Sequence, residues 1–152
     1  ALAWQLRRGA RTVAALQRAP LPDGPSATAV TSISSLYDEI VRPQPTASHL
    51  VGATNIVLQD VCAQDPSEHG LILGDQVGYA LTLDALTHRG PARPHRLPGD
   101  TCEQTFIPHG DPAASPVFLQ SVVRFSTGLL DPRRWVDREP ALPAYARPYG
   151  RP

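Results

Sequence analysis

Apolar and polar positions along the chain predict helices and strands in alternation. Residues 2–19 place apolar side chains along one side of a helix and arginines over the rest of its surface, and Pro20 begins the break that ends it. Residues 27–34 are rich in β-branched side chains and show little alternation, and the apolar residues over 54–61 fit a second strand. Such runs are typical of strands buried on both faces of a parallel sheet, so we expect two parallel strands.

The second half of the chain predicts two further helices and a tail. Apolar residues recur at helical spacing over 71–87 and again over 112–130, and the connection 88–100 is rich in Pro, Arg and Gly. The five prolines after Asp131 predict an extended, Pro-rich tail. This order of elements predicts an α/β fold with parallel strands and flanking helices.

The composition of the 152 residues indicates which classes of protein fit this sequence. Hydrophobic residues make up 41% and charged residues 18%, which is typical of a globular domain rather than a disordered chain. Fourteen basic and fourteen acidic residues cancel, so no net charge favours binding to nucleic acid or to an anionic membrane. No apolar run approaches the ~18 residues of a transmembrane helix. We therefore expect no nucleic-acid partner and no transmembrane segment.

The candidate chemistry lies in the loops that follow the two predicted strands. Asp38 lies in the loop over 34–45 and His69 in the loop over 62–70, and loops at the carboxyl ends of parallel strands carry the ligand chemistry of such sheets. A histidine that acts as a general base needs a carboxylate hydrogen-bonded to its other ring nitrogen. In α/β-hydrolases the acid of the triad precedes the histidine along the chain. The alternative is that Asp38 caps a turn and His69 caps the following helix.

The two cysteines leave several interpretations open. Cys62 and Cys102 form a disulfide if the protein is secreted and two buried thiols if it is cytosolic. A zinc site with His69 and His109 is a further alternative, but six residues separate each cysteine from its histidine. Structural zinc pairs typically have about two to five residues between ligands. We therefore expect no metal and no cofactor.

The residues around Asp38 resemble a known family. The run Asp-Glu-Ile-Val-Arg-Pro-Gln over 38–44 resembles the acid loop of the Candida antarctica lipase B family and its bacterial relatives, in which Asp-Glu-Ile-Val-x-Pro-Gln follows a strand. The resemblance covers nearly all of the chain in order. Four further features agree with it: Trp4-Gln5 at the first helix, Val61-Cys62 before the histidine, the position of Cys102, and Tyr-Ala-Arg-Pro over 145–148.

The family implies a fold and a set of site residues. The fold would be the C-terminal part of an α/β-hydrolase, with residues 1–152 as the C-terminal portion of a single domain. The helix over 112–130 would form a wall of the substrate pocket. The family's second, C-terminal disulfide has no counterpart, because the chain has only two cysteines. The implied residues are Asp38 as the triad acid, His69 as the general base, Ile40 in the substrate pocket, and a Cys62–Cys102 disulfide.

The nucleophile of such an enzyme is not found in this sequence. No serine lies in a Gly-x-Ser-x-Gly turn, and the family carries its nucleophile elbow in a part that precedes position 1 here. The sequence contains no methionine and begins within a helical pattern with no signal peptide. We therefore expect a fragment whose N-terminal part, with the nucleophile, is missing.

The resemblance implies a secreted hydrolase that degrades lipids. It would be a lipase or esterase that cleaves carboxylic esters of the triacylglycerol type through a Ser-His-Asp triad, of which this chain supplies the Asp and the His. Its partners would be the ester substrate and the missing N-terminal part of the same enzyme. Alone, the chain would be inactive, since acyl-enzyme chemistry cannot start without the nucleophile. The alternative is a catalytically inactive remnant or a module that only binds a partner.

Overall fold

The chain consists of two compact units. The central unit spans Leu21–Gly110, and the terminal unit combines Ala1–Pro20 with Asp111–Pro152. No helix within the described ranges is long and apolar enough to cross a membrane. The computed structural model describes residues 4–5, 7, 9–21, 27–104, 106–110, 113 and 115–150.

The regular elements of the described residues are two short strands and several helices. The strands are β1 (Thr31–Ser34) and β2 (Thr54–Val57). The α-helices are α1 (Arg11–Arg18), α2 (Leu58–Val61), α3 (Gln76–Thr87) and α4 (Ser115–Leu129). Segments of 3-10 helix cover Thr46–Ser48, Leu71–Leu73, Pro94–Arg96, Thr101–Glu103, Pro132–Arg134 and Ala144–Tyr149.

The two strands pair in parallel, as the sequence predicts. Thr31 lies opposite Thr54 and Ser34 lies opposite Val57, so the strands are in register along their whole length. Both end at the same edge of the sheet. The loops that carry Asp38 and His69 therefore leave from one side of the central unit.

The predicted second strand is wrong in its second half. The strand ends at Val57, and residues 58–61 form the helical turn α2 instead. Gln59 on this turn is buried, and its side-chain amide finds hydrogen-bond partners at Ser35 and at the carbonyl of Asp65. A polar side chain that is satisfied in this way favours the turn over a continued strand, where it would need a partner within the sheet.

Helix α3 begins later than its apolar pattern predicts. Residues 71–73 form a separate 3-10 turn, and α3 starts at Gln76 because the Asp75 carboxylate accepts the Gly78 N–H at 2.6 Å. An aspartate at this position satisfies one of the free amides at a helix start. The helix packs onto the sheet through a core of Ile56, Leu58, Cys62, Val77, Leu81 and Ala92.

A disulfide closes the central unit. Cys62, after α2, is bonded to Cys102, which lies 40 residues further along the chain. The disulfide implied by the family resemblance is therefore present. The zinc alternative is wrong for these cysteines, because each sulfur is bonded to the other and neither is a free thiolate.

We predict that this disulfide stabilises the central unit by restricting the unfolded chain. Replacing both cysteines by alanine should lower the free energy of unfolding by about 4 kcal/mol in the chain-entropy model for a loop of this length. Urea unfolding of wild type and of the double variant measures the difference. Equal unfolding midpoints, or two thiols that react with an alkylating reagent without reduction, would contradict the prediction.

A buried ion pair ties α3 to the connection that follows it. The Asp84 carboxylate accepts a hydrogen bond from Nε of Arg96 at 2.8 Å and another from the backbone N–H of Arg93 at 2.8 Å. His88 lies one turn further along the chain, with its Nδ1 at 3.1 Å from the same carboxylate. The hydrogen bond from Arg96 outweighs burial and lowers the pKa of Asp84 from 3.8 to about 2.

This ion pair predicts a loss of stability in acid. A carboxylate whose pKa is lower in the folded chain stabilises the fold above its unfolded pKa, and that contribution disappears as the pH falls from 3.8 towards about 2. Asp84→Asn should remove this part of the pH dependence, which chemical unfolding between pH 2 and 7 would measure. Asp137→Asn, at an exposed carboxylate, is the control and should leave the curve unchanged. A wild-type curve that is flat below pH 4 would contradict the assignment.

In the terminal unit, a carboxylate from the tail caps the first helix. Helix α1 starts at Arg11 rather than near residue 2, and Gly9, at a φ of +78°, separates it from the helical Trp4 and Gln5. The two carboxylate oxygens of Glu139 accept the N–H groups of Arg11 and Thr12 at 3.0 Å each. A negative charge at the N-terminus of a helix interacts favourably with the helix dipole.

The remainder of the terminal unit agrees with the predicted helix and differs from the predicted tail. Helix α4 covers most of the predicted range 112–130, and residues 112 and 114 lie outside the described residues. The tail is not extended throughout, since residues 132–134 and 144–149 form 3-10 turns. Proline fixes φ near the value that such turns need, so a Pro-rich segment is compatible with them.

Candidate active site

Asp38 and His69 lie together beyond the carboxyl ends of the two strands. The Nδ1 atom of His69 is 2.9 Å from Oδ2 of Asp38, within hydrogen-bond reach. The Asp38 side chain is 13% exposed and the His69 side chain is 42% exposed. The Nε2 atom of the ring has no hydrogen-bond partner among the described residues. One ring nitrogen is therefore held by the carboxylate while the other is free to act on a substrate.

The Asp38 carboxylate is fixed by its own loop. Its other oxygen, Oδ1, accepts the backbone N–H of Ile40 at 2.9 Å and of Val41 at 2.7 Å. Burial alone would raise the pKa of Asp38, but the hydrogen bond from His69 and those two amides outweigh it and lower the pKa. The aspartate is therefore ionised at neutral pH and oriented towards the ring.

The loop that carries His69 is shaped by neighbouring carboxylates. The Glu68 side chain accepts the N–H groups of Gly70 at 2.8 Å and Leu71 at 2.9 Å, and the Glu39 side chain accepts the His69 N–H at 3.4 Å. His69 does not cap the following helix, because Asp75 does so. The capping alternative is therefore wrong for His69. Asp38 does cap a turn, and it bonds to His69 as well.

A layer of buried polar residues lies beneath this pair, and the sequence did not single it out. Ser35 is 1% exposed. Its hydroxyl donates to the backbone carbonyl of Ser67 and accepts the Gln59 amide at 3.1 Å and the Tyr37 N–H at 3.1 Å. Gln59 in turn accepts the Leu36 N–H at 2.8 Å. The one signal in the sequence is a polar residue, Gln59, directly after the apolar run over 56–58.

Two buried carboxyl groups continue this layer. The Ser67 N–H donates to Asp65 at 2.8 Å and the Ser67 hydroxyl donates to Asp75 at 3.0 Å. Burial raises the pKa of Asp75; the hydrogen bonds from Gly78 and Ser67 oppose this rise, and the neighbouring Asp65 adds to it. The described residues hold no group of three His, Cys, Asp or Glu side chains arranged for a metal ion.

Exposed apolar side chains flank the pair. Ile40, predicted to line a substrate pocket, is 67% exposed on the acid loop, two residues after Asp38. The histidine loop continues into a turn that exposes further apolar groups. The exposed set is Leu36, Tyr37, Ile40, Val41, Leu71 and Leu73.

A comparison with solved structures gives a match. The chain is similar to Aspergillus fumigatus lipase B, with a TM-score of 0.69 and 24% sequence identity over 94% of this chain and 37% of that chain. The chain shares its fold with part of a fungal lipase. The resemblance to a lipase that the sequence suggests is thus confirmed at the level of the fold. No family model and no curated protein matches the sequence.

The Asp38–His69 contact predicts one tautomer of the histidine. When neutral, His69 should carry its proton on Nδ1, because the ionised Asp38 is the acceptor there. Nitrogen-15 shifts of the ring in the folded protein measure this. Asp38→Asn should give a mixture of tautomers, since an amide both donates and accepts, while the exposed His95 should be unchanged. A proton on Nε2 in wild type would contradict the orientation.

Proposed function

We propose that the chain is the C-terminal, acid–base portion of a secreted carboxylic ester hydrolase, a lipase or esterase of the α/β-hydrolase fold. Asp38 and His69 act in it with a serine from a preceding part of the same domain. The observation that supports this most strongly is the 2.9 Å contact between a fixed, ionised Asp38 and Nδ1 of a half-exposed His69. The lipase-like fold supports it independently.

In the proposed reaction His69 moves one proton in each direction. Its Nε2 takes the proton of the serine hydroxyl as the serine oxygen bonds to the ester carbonyl carbon, and then gives that proton to the leaving alcohol. The acyl-serine is hydrolysed by water, whose proton passes to Nε2 and returns to the serine. Asp38 holds the ring in the correct tautomer and stabilises the imidazolium formed in each half.

The surroundings of the pair favour an ester with an apolar chain. Exposed Leu36, Ile40 and Leu71 lie on the same two loops as the acid and the base. Hydrocarbon next to such side chains leaves water without the loss of a hydrogen bond. A lipid ester is therefore the proposed substrate class, with Ile40 as one of its contacts.

The disulfide supports the proposed compartment. Bonds such as Cys62–Cys102 persist in oxidising environments and are rare in the cytosol. Secretion is accordingly part of the proposal.

A second His–Asp pair in the chain shows which features favour catalysis. His88 lies 3.1 Å from Asp84, yet that carboxylate already bonds to Arg96 and to a backbone amide. Its negative charge is therefore largely compensated before it meets the histidine. Asp38 has no basic side chain other than His69 among its described ion pairs. Of these two carboxylates, Asp38 is therefore the one whose charge is not already shared with an arginine and can act mainly on its histidine.

We predict that ester hydrolysis requires the Asp38–His69 pair. In a longer protein that joins this chain to a nucleophile-bearing part, His69→Ala should lower kcat for p-nitrophenyl ester hydrolysis by about 10⁶-fold and leave a small residual rate. Asp38→Asn should lower kcat by about 10⁴-fold through the wrong tautomer. The 152-residue chain alone should be inactive.

His88→Ala is the matched control for this experiment, because it removes the histidine of the other His–Asp pair. It should leave the rate within about twofold of wild type. Two results would overturn the proposal. One is an Asp38→Asn variant with an unchanged rate, and the other is robust hydrolysis by the purified chain alone.

A further inference from the structure

The buried Ser35 connects the two loops of the candidate site. It lies three residues before Asp38, and its hydroxyl donates to the carbonyl of Ser67, two residues before His69. Within the described residues, the other hydrogen bonds between these loops involve the Asp38 and Glu39 side chains, which lie nearer to solvent. The Ser35–Ser67 hydrogen bond is the buried one.

The same hydroxyl also orders the start of the acid loop. It accepts the Tyr37 N–H and the Gln59 side-chain amide, both at 3.1 Å. A hydroxyl has one donor and two acceptor sites, so Ser35 uses all three. The donor goes to the histidine loop, one acceptor site serves the aspartate loop, and the other serves α2. Losing the hydroxyl would take this partner from the Ser67 carbonyl and from the Tyr37 N–H, next to a side chain that is 1% exposed, and a polar group that loses its partner on burial is costly.

The other contacts of the histidine loop join it to itself, to α3 and, through the Gln59 amide and the Asp65 carbonyl, to α2. Glu68 bonds to amides of its own loop, and the Ser67 hydroxyl bonds to Asp75 at the start of α3. The Glu39 contact with the loop is long, at 3.4 Å. Among the described residues, the Ser35–Ser67 hydrogen bond is the buried contact made directly between the acid loop and the histidine loop, close to Asp38 and to His69.

We propose that Ser35 is a positioning residue for the reaction, which holds the His69 loop in register with the Asp38 loop. It touches neither substrate nor the reacting atoms and acts through the two loops. The kinetic part of this inference rests on the proposed ester hydrolysis. The structural part, the alignment of the His69 ring with Asp38, does not.

The test compares Ser35→Ala with Ser67→Ala. Both remove a buried serine hydroxyl from the same layer. Ser67→Ala, however, keeps the backbone carbonyl of residue 67, which accepts the hydrogen bond from Ser35. In the longer ester hydrolase, Ser35→Ala should lower kcat by about 10- to 100-fold, with KM within about twofold, because a small misplacement of the base is costly in the transition state. Ser67→Ala should change kcat by less than about threefold.

A second readout separates this inference from the proposed function. The nitrogen-15 shifts of the His69 ring should show a loss of the Nδ1–H tautomer in Ser35→Ala and its retention in Ser67→Ala. If wild type hydrolyses no ester, this readout still decides the role of Ser35. If Ser35→Ala does not fold, Ser35→Cys keeps a side chain of the same shape, slightly larger and with a much weaker donor, and should lower kcat by at least about threefold. Equal effects of the Ser35 and Ser67 variants, in both readouts, would overturn the inference.

Discussion

The parallel pairing of β1 with β2 is the constraint on which the candidate site depends. Thr31 to Ser34 pair with Thr54 to Val57 without a shift, so both strands end at the same edge of the sheet. The loops that leave this edge carry the acid and the base, separated by 31 positions in the chain. A shift of one residue in the pairing would turn every side chain of a strand to the other face and would remove Ser35 from the carbonyl it holds.

Contacts elsewhere in the central unit hold the two loops in place. The disulfide at Cys62 holds the start of the histidine loop, and Asp75 fixes its end at the first turn of α3. On the acid side, the two amides after Asp38 orient its carboxylate. The geometry of the pair therefore comes from backbone groups and buried contacts, which leaves the far side of the histidine ring open to solvent.

The sequence predicts that Asp38 and His69 belong together, and the structure brings them to 2.9 Å, while their catalytic role stays a prediction. This pairing follows from the order of the two residues along the chain and from the run over 38–44, because six of the seven positions in that motif are specified and all six match. The strand over 54–61 was predicted too long, since an apolar run does not distinguish a strand from a buried helical turn. The roles of Ser35 and Gln59 could not be predicted, because a buried hydrogen bond joins residues 24 positions apart and has no local pattern.

The most direct test of a shared role for Asp38 and His69 is a double-variant cycle on kcat/KM for ester hydrolysis in the longer protein. If the two side chains act as one acid–base unit, the double variant Asp38→Asn with His69→Ala should be no slower than His69→Ala alone, within about threefold. Losses that multiply, so that the double variant is slower by the product of the two single effects, would show that the residues act independently and would contradict the account.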